Sequence, residues 1–386
     1  MSAAMKKYRD GPRSDASWML RREKISKKAL KEQQAKEAEP APVVIEPAIV
    51  SDNEEDHEEE ALSYDRIEVL QDAGINATDI AKLKEDGFAT VGQLFQVSMK
   101  RLLQVKGVSE AKAEKLIQAG RKIIGERSGF ISASALLINN KQKYFITTGS
   151  KQFDMLLGGG IETMSVTEVH GEFRTGKTQL CHTLCVTAQL PRSQGGGAGK
   201  VAIVDTEGSF RPQRVAEIAK TRYDLDPKDV LDNIIVARAH SHDAQMDMVT
   251  KLGVLFADPD RGPFRLLIVD SITALFRTDF SGRGELSERQ QRLNVHLQRL
   301  VKHAEEFNVA VLVVNQVMAD PGANAMFGPV IKPVGGHVIS HACHTRVLMK
   351  KGRGDNRICK VIDSPCMPEA ECTIQLTSGG VSDADD

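Results

Sequence analysis

The stretch Gly171-Glu172-Phe173-Arg174-Thr175-Gly176-Lys177-Thr178 fills every fixed position of a G-x-x-x-x-G-K-T loop. Before it, Ser165-Val166-Thr167-Glu168-Val169 alternates as a strand does, and after it residues 179–189 read as a helix. A glycine-rich turn between strand and helix lets successive backbone N–H groups close around phosphate oxygens at the helix N-terminus. In such a loop the Lys177 ammonium reaches the β- and γ-phosphates and the Thr178 hydroxyl ligates Mg²⁺. The stretch predicts nucleoside triphosphate binding, with ATP and Mg²⁺ as the expected cofactors.

Working outward, three strand ends carry the rest of that chemistry. Leu266-Leu267-Ile268-Val269-Asp270 is an apolar run ending in an acid, the way a buried strand delivers a carboxylate to Mg²⁺ beside a phosphate loop. Val201-Ala202-Ile203-Val204-Asp205-Thr206-Glu207 places a second acid just past a strand, and Glu207 is the candidate base for the attacking water. Val311-Leu312-Val313-Val314-Asn315-Gln316 ends in amides, with Gln316 suited to hydrogen-bond the γ-phosphate. Strands are expected at 164–169, 201–205, 234–238, 266–270, 309–314, 344–350 and 357–362, the early ones near-continuous apolar runs. That pattern belongs to an α/β fold with a mostly parallel sheet covered on both faces and its chemistry at the strand C-termini.

The chain has 386 residues, 41% apolar and 27% charged, with a net charge of −1. That length allows two domains and a tail, and the near-zero charge means that nucleic-acid contacts rest on local basic patches. Six cysteines form no C-x-x-C pair and read as reduced thiols in a reducing compartment, with Cys181 and Cys185 as packing residues. No run of 18 apolar residues suits a membrane span, and Met1 to Lys7 carries no apolar signal segment.

Residues 1–62 differ in composition. Eleven Lys/Arg against four Asp/Glu precede residue 37, and seven acids crowd residues 51–60. The expectation is a disordered tail. Residues 63–125 read as a small helical domain broken at Gly74 and Gly87. Within it, Leu102-Leu103-Gln104-Val105-Lys106-Gly107-Val108-Ser109 followed by a second helix is a helix-hairpin-helix pattern, with Ser109 as the expected cap. Its hairpin, at Lys106 and Gly107, can meet a DNA phosphate without reading bases, helped by Lys112 and Lys115. Residues 126–144 are a linker, and 145–386 the ATPase core. Two glycine-bearing segments, 277–285 and 318–336, interrupt the core pattern.

The residues alone say P-loop ATPase with a helical module; their joint pattern says more. Residues 171–182, Asp205-Thr206-Glu207-Gly208-Ser209-Phe210-Arg211-Pro212, Ser281-Gly282-Arg283-Gly284-Glu285-Leu286, residues 351–354 and residues 363–371 together resemble the eukaryotic RecA/RadA-type strand-exchange recombinases. The resemblance runs from about residue 63 to 386. It implies a RecA-like core that forms helical filaments on single-stranded DNA and exchanges strands with duplex DNA in the nucleus, assisted by recombination mediator proteins. It also implies roles for further residues. Phe130 and Ala133 match the polymerisation motif, a head-to-tail contact of the kind that yields open filaments. Arg277 and Arg283 fall in the first DNA-binding loop and Phe327 in the second. His341 matches a residue sensing the neighbouring protomer's nucleotide, and Asp363 and Pro368 fall in a segment capping ATP across that interface. A regulatory paralogue that binds ATP without exchanging strands is the alternative. The second loop departs from the family pattern: Phe327-Gly328-Pro329-Val330-Ile331-Lys332-Pro333 carries one lysine where two are usual. Ala319-Asp320-Pro321-Gly322 resembles the meiosis-specific branch and Thr206-Glu207-Gly208-Ser209-Phe210 the general-repair branch, so the branch stays open.

Overall fold

A computed structural model describes residues 64–125, 130–282, 284–319 and 331–384. The expected tail, Arg283 and Phe327 lie outside the described residues. In chain order the strands are β1 (Phe145–Ile146), β2 (Ile161–Glu162), β3 (Ser165–His170), β4 (Lys200–Asp205), β5 (Ile234–Arg238), β6 (Phe264–Asp270), β7 (Ala310–Asn315), β8 (Val317–Ala319), β9 (Ile331–Pro333), β10 (Thr345–Lys351), β11 (Asn356–Asp363), β12 (Glu371–Thr377) and β13 (Gly380–Asp383). Nine form one sheet in the order β13-β12-β11-β10-β3-β7-β6-β4-β5. From β10 to β5 neighbours run parallel, and β11, β12 and β13 extend the sheet antiparallel.

The continuous apolar runs explain the burial. Val201, Ile203, Leu266, Ile268, Ala310 and Leu312 join the core on one face, whereas Ala202, Val204, Leu267, Val269, Val311 and Val313 join the core on the other. Side chains alternate across a strand, so a strand apolar at every position needs cover on both sides. Much of one side is covered by the 22-residue helix Leu286–Phe307, whose buried Leu293, His296, Leu297, Leu300, Ala304 and Phe307 recur at helical spacing. β5, the outermost strand, is only partly buried, unlike the early-strand expectation, because nothing pairs with its outer edge among the described residues.

All six residues of β3 are buried, the polar ones included, as in a strand covered on both faces. Glu168 is held inside by Arg346 Nε at 2.6 Å and by Asn315 Nδ2 at 2.7 Å. A buried carboxylate is tolerable only when paired and hydrogen-bonded.

Residues 64–125 close a separate apolar cluster that includes Leu70, Leu83, Leu94, Leu102 and Leu116. In the hairpin Gly107 takes φ +82°. Ser109 occupies the N-cap position of helix Glu110–Ile124, but its side chain makes no capping bond, contrary to expectation. This unit docks on the long helix through Glu306, which accepts from Thr90 Oγ1 at 2.5 Å and Gln96 Nε2 at 2.8 Å. Tyr64 stacks edge-on against Phe307 at 5.1 Å.

The helix after the phosphate loop spans Lys177–Thr187, starting two residues earlier than its apolar pattern suggested. β13 lies against it: Val381 N–H donates to Thr183 Oγ1 at 3.0 Å, and Arg222 donates to the Val381 carbonyl. Cys181 and Cys185 are buried in this packing, as packing residues would be. Among the described residues no helix is long and apolar enough to cross a membrane.

Candidate nucleotide site

The parallel strands end in register, and this brings the loop and the acids together. His170 pairs with Asn315, Asp205 with Asp270, and Asp270 with Val314. The loop after β3 therefore sits beside Asp270, with Glu207 and Gln316 just beyond their strands. They line one cleft of about 900 Å³. Gly171 and Gly176 have backbone reasons to be glycine: a Cβ at Gly171 would lie 2.2 Å from the Met349 carbonyl oxygen, and Gly176 takes φ +98°.

Around the loop, Glu172, Phe173 and Arg174 are exposed, and the Arg174 guanidinium lies 5.2 Å from the Phe173 ring centroid. Thr175 is buried, its hydroxyl donating to the Glu172 carbonyl at 2.9 Å. Lys177 Nζ donates to the carbonyls of Gly171 and Glu172 at 2.8 and 2.7 Å. Burial lowers the Lys177 pKa, opposed by the charges of Asp270 and Glu207.

Thr178 Oγ1 donates to Asp270 Oδ2 at 3.1 Å, and Ser209 Oγ to the same oxygen at 3.3 Å. Burial, and next the charge of Glu207, push the Asp270 carboxyl up to about 6. Hydroxyls with carboxylates make an all-oxygen donor set, the kind suited to a hard divalent cation such as Mg²⁺. The residues present fit that ion, whose charge would reverse the upward push on Asp270.

Glu207 is exposed and accepts from Gln316 Nε2 at 2.6 Å; Gln316 Oε1 accepts from Arg277 Nη1 at 2.9 Å. Arg277, expected on a loop, lies on the short helix Ala274–Asp279. Glu207 owes its position to Asp205, which the sequence marked only as a strand end. Asp205 Oδ1 accepts from the backbone N–H groups of Glu207, Gly208 and Ser209 at 3.0, 2.7 and 3.2 Å, and from Arg238 Nη1 at 2.9 Å. An acid followed by glycine two to three residues later is the available signal for such a turn.

Asn315 and Gln316 take separate roles. Asn315 is buried, donating to Glu168 and to the Val334 carbonyl and accepting from Thr273 Oγ1 at 2.8 Å. Gln316 faces the cleft. The foot of segment 318–336 is a ribbon of β8 and β9, with Val317 opposite Pro333.

Other expected residues stand apart from this cleft. His341 lines a separate groove between the long helix and helix Gly336–Ala342. Asp363 and Pro368 are exposed near the turn between β11 and β12. Phe130 is fully exposed at 111% relative area, and Ala133 is exposed at the start of helix Ala133–Asn139, which has no buried residue and is capped by Ser132. In the helical unit Lys106 is exposed, but Lys112 is bonded to Asp79 at 2.8 Å and Lys115 to the Gly74 carbonyl at 2.9 Å, so both are engaged within the unit.

Comparison with known proteins accords with this geometry. Residues 139–384 match the Rad51 family. The "Meiotic recombination protein DLH1" of Candida albicans is 53% identical over 321 residues, covering 83% of this chain and 97% of its own length. The "Meiotic recombination protein DMC1 homolog A" of Oryza sativa subsp. japonica is 52% identical over 329 residues, covering 85% and 94%. The "Meiotic recombination protein DMC1" of Saccharomyces cerevisiae is 52% identical over 322 residues, covering 83% and 95%. With a family match over well more than half of its length and relatives at such identity covered nearly end to end, this chain belongs to the Rad51 family.

Proposed function

We propose that this protein is an ATP-dependent strand-exchange recombinase that assembles as helical filaments on single-stranded DNA and pairs it with homologous duplex. The observation that carries the reading is the convergence of Lys177, Thr178, Asp270, Glu207 and Gln316 on one cleft, with Arg277 hydrogen-bonded to Gln316. The backbone N–H groups of residues 171–178 and the Lys177 ammonium hold the phosphates. Thr178 and Asp270 hold Mg²⁺, which when bound supplies charge neutralisation on the phosphate oxygens. Glu207 orients a water and takes its proton as that water attacks the γ-phosphorus. Gln316 donates to the γ-phosphate oxygens, and its bond to Arg277 ties that contact to the DNA-facing side.

Arg277, Arg283 and the Lys106–Gly107 hairpin contact DNA phosphates, and Phe327 wedges between bases. Phe130 and Ala133 dock on the next protomer, and His341, Asp363 and Pro368 complete that neighbour's ATP site. The names of the relatives support a meiotic role; on this reading the protein works on chromosomal DNA in the nucleus, with mediator partners. Electron microscopy of the full chain with single-stranded DNA, ATP and Mg²⁺ tests the reading. Helical filaments are expected. Rings would point to a DNA motor, and ATP binding without assembly to a regulatory paralogue.

A further inference from the structure

β11 and β12 are joined by residues 364–370. The last paired positions before that turn are Lys360 opposite Glu371 and Cys359 opposite Cys372. Directly opposed residues on antiparallel strands project to the same face with Cα atoms about 4.5–5.5 Å apart. That spacing lies inside the range of roughly 4.4–6.8 Å that a disulfide bridges. Cys359 is buried in the core, and Cys372 is half-buried against the same core. Cys181 and Cys185 differ, being four apart on one helix, where Cβ separations of about 5–6 Å exceed what a disulfide accepts.

We propose that Cys359 and Cys372 are a reversible disulfide site that fastens the stem of the β11–β12 hairpin. The oxidant is a low-molecular-weight disulfide. The thiolate of Cys372, the more accessible of the two, attacks one sulfur of the oxidant; the new S–S bond forms as the old one breaks, and one thiol leaves with a proton from solvent. Cys359 then gives up its proton and attacks Cys372 Sγ, expelling the second thiol. Two electrons pass from the protein pair to the oxidant, which ends as two thiols. The proximity of the two thiols favours this order, lowering the Cys372 pKa and, with burial, raising that of Cys359.

The site is joined to the nucleotide cleft. Cys359 also pairs with Met349 of β10, whose carbonyl oxygen packs on Gly171, while Arg357 and Leu376 on the same two strands line the cleft. Stapling the stem would pre-order the hairpin that carries Asp363 and Pro368, and this consequence rests on their proposed ATP-capping role. An ordered cap has less freedom to lose on closing over a neighbour's nucleotide.

The test incubates the reduced full chain with oxidised glutathione, blocks free thiols, and maps disulfides by peptide mass spectrometry, a readout that needs no ATP or DNA. A linked Cys359–Cys372 peptide pair, reversed by dithiothreitol, is expected. So is an upward shift of several degrees in Tm that Cys372→Ser does not show. Both thiols free throughout, glutathione retained on Cys372, or Cys366 linked to Cys372 would each overturn the site. In the second arm the oxidised protein should need several-fold less ATP than the reduced protein for half-maximal assembly on single-stranded DNA. An unchanged requirement despite the mapped bond would overturn the link to capping. Failure of both forms to assemble would instead overturn the recombinase reading, leaving the mapped bond standing.

Discussion

Gln316 donates a 2.6 Å hydrogen bond from its side-chain amide to the Glu207 carboxylate. The contact joins the end of β7 to the turn after β4, and it sets the direction in which Glu207 can accept a proton. Gln316→Glu keeps the length but places like charges together; Gln316→Ala removes the donor. A hydrogen bond to a charged group contributes about 1.5–3 kcal/mol, so kcat for ATP hydrolysis should fall roughly ten- to hundred-fold. KM should rise only modestly, because the phosphate loop, which holds most of the nucleotide, is untouched. Steady-state ATPase assays check this, and a raised KM at unchanged kcat would confine Gln316 to the γ-phosphate contact, with no role toward Glu207.

With Asp270 as the proposed cation ligand, cation binding should depend on pH. Its carboxyl titrates near 6, raised by burial and then by Glu207. Below that pH a proton must leave before Mg²⁺ can bind, so apparent Mg²⁺ affinity should drop about tenfold per pH unit as pH falls. Glu207→Gln removes one of the raising charges, and the onset should move to lower pH. Titrating Mg²⁺-dependent nucleotide binding between pH 5 and 7 measures both effects. A flat profile would show that Asp270 is not a ligand.

Among the described residues nothing covers the Phe130 ring, which is fully exposed. Phe130→Glu should therefore leave circular dichroism and Tm unchanged. In a neighbour's pocket the ring would contribute ~1.5–3 kcal/mol by area, and a glutamate there would also bury an unpaired charge. Sedimentation should find monomers, and DNA-stimulated ATP hydrolysis should be lost with the filaments. A folded monomer that keeps the stimulated rate would show that each site is complete within one chain.

Acid should unfold the core through its histidines. His296 and His303 are buried on the long helix, where burial pushes their pKa values down to about 3 and about 4. The folded values lie below the unfolded one, so their contribution is present above about pH 6.5 and is lost as pH falls toward the folded values. Between pH 7 and 5 each should give up about 2 kcal/mol. Melting curves at the two pH values check the sum, and His296→Leu should shrink the difference. An equal loss in that variant would place the acid sensitivity elsewhere.

How much of this was legible follows from how local each signal is. The phosphate loop and the acids at the ends of β4 and β6 are read from short runs, since an apolar strand and its terminal residue lie together in sequence. The first turn of the following helix was missed because Lys177 and Thr178 face the cleft and carry no apolar period. The pairing that lets Glu168 be buried was not legible, because its partners, Asn315 and Arg346, lie 147 and 178 positions away. β12 and β13 went unread: their alternation is weak where one face meets water. Ser109 shows a further limit, having the right residue type and position for a cap without the bond. Lys112 and Lys115 show another, because charge patterning does not reveal an acid or carbonyl already within reach.

The contact between β13 and the helix after the phosphate loop bears on how the protein is made. The glycine-rich turn is complete by Thr178, but the strand that braces its helix at Thr183 arrives with Val381, 198 positions later. Arg357 and Leu376, which wall the cleft, are also late. A chain growing on the ribosome thus displays its phosphate-binding loop long before the loop has a floor. On the proposed reading, firm nucleotide capture should await the synthesis of β11 to β13, and with it ATP-driven self-association of half-made chains.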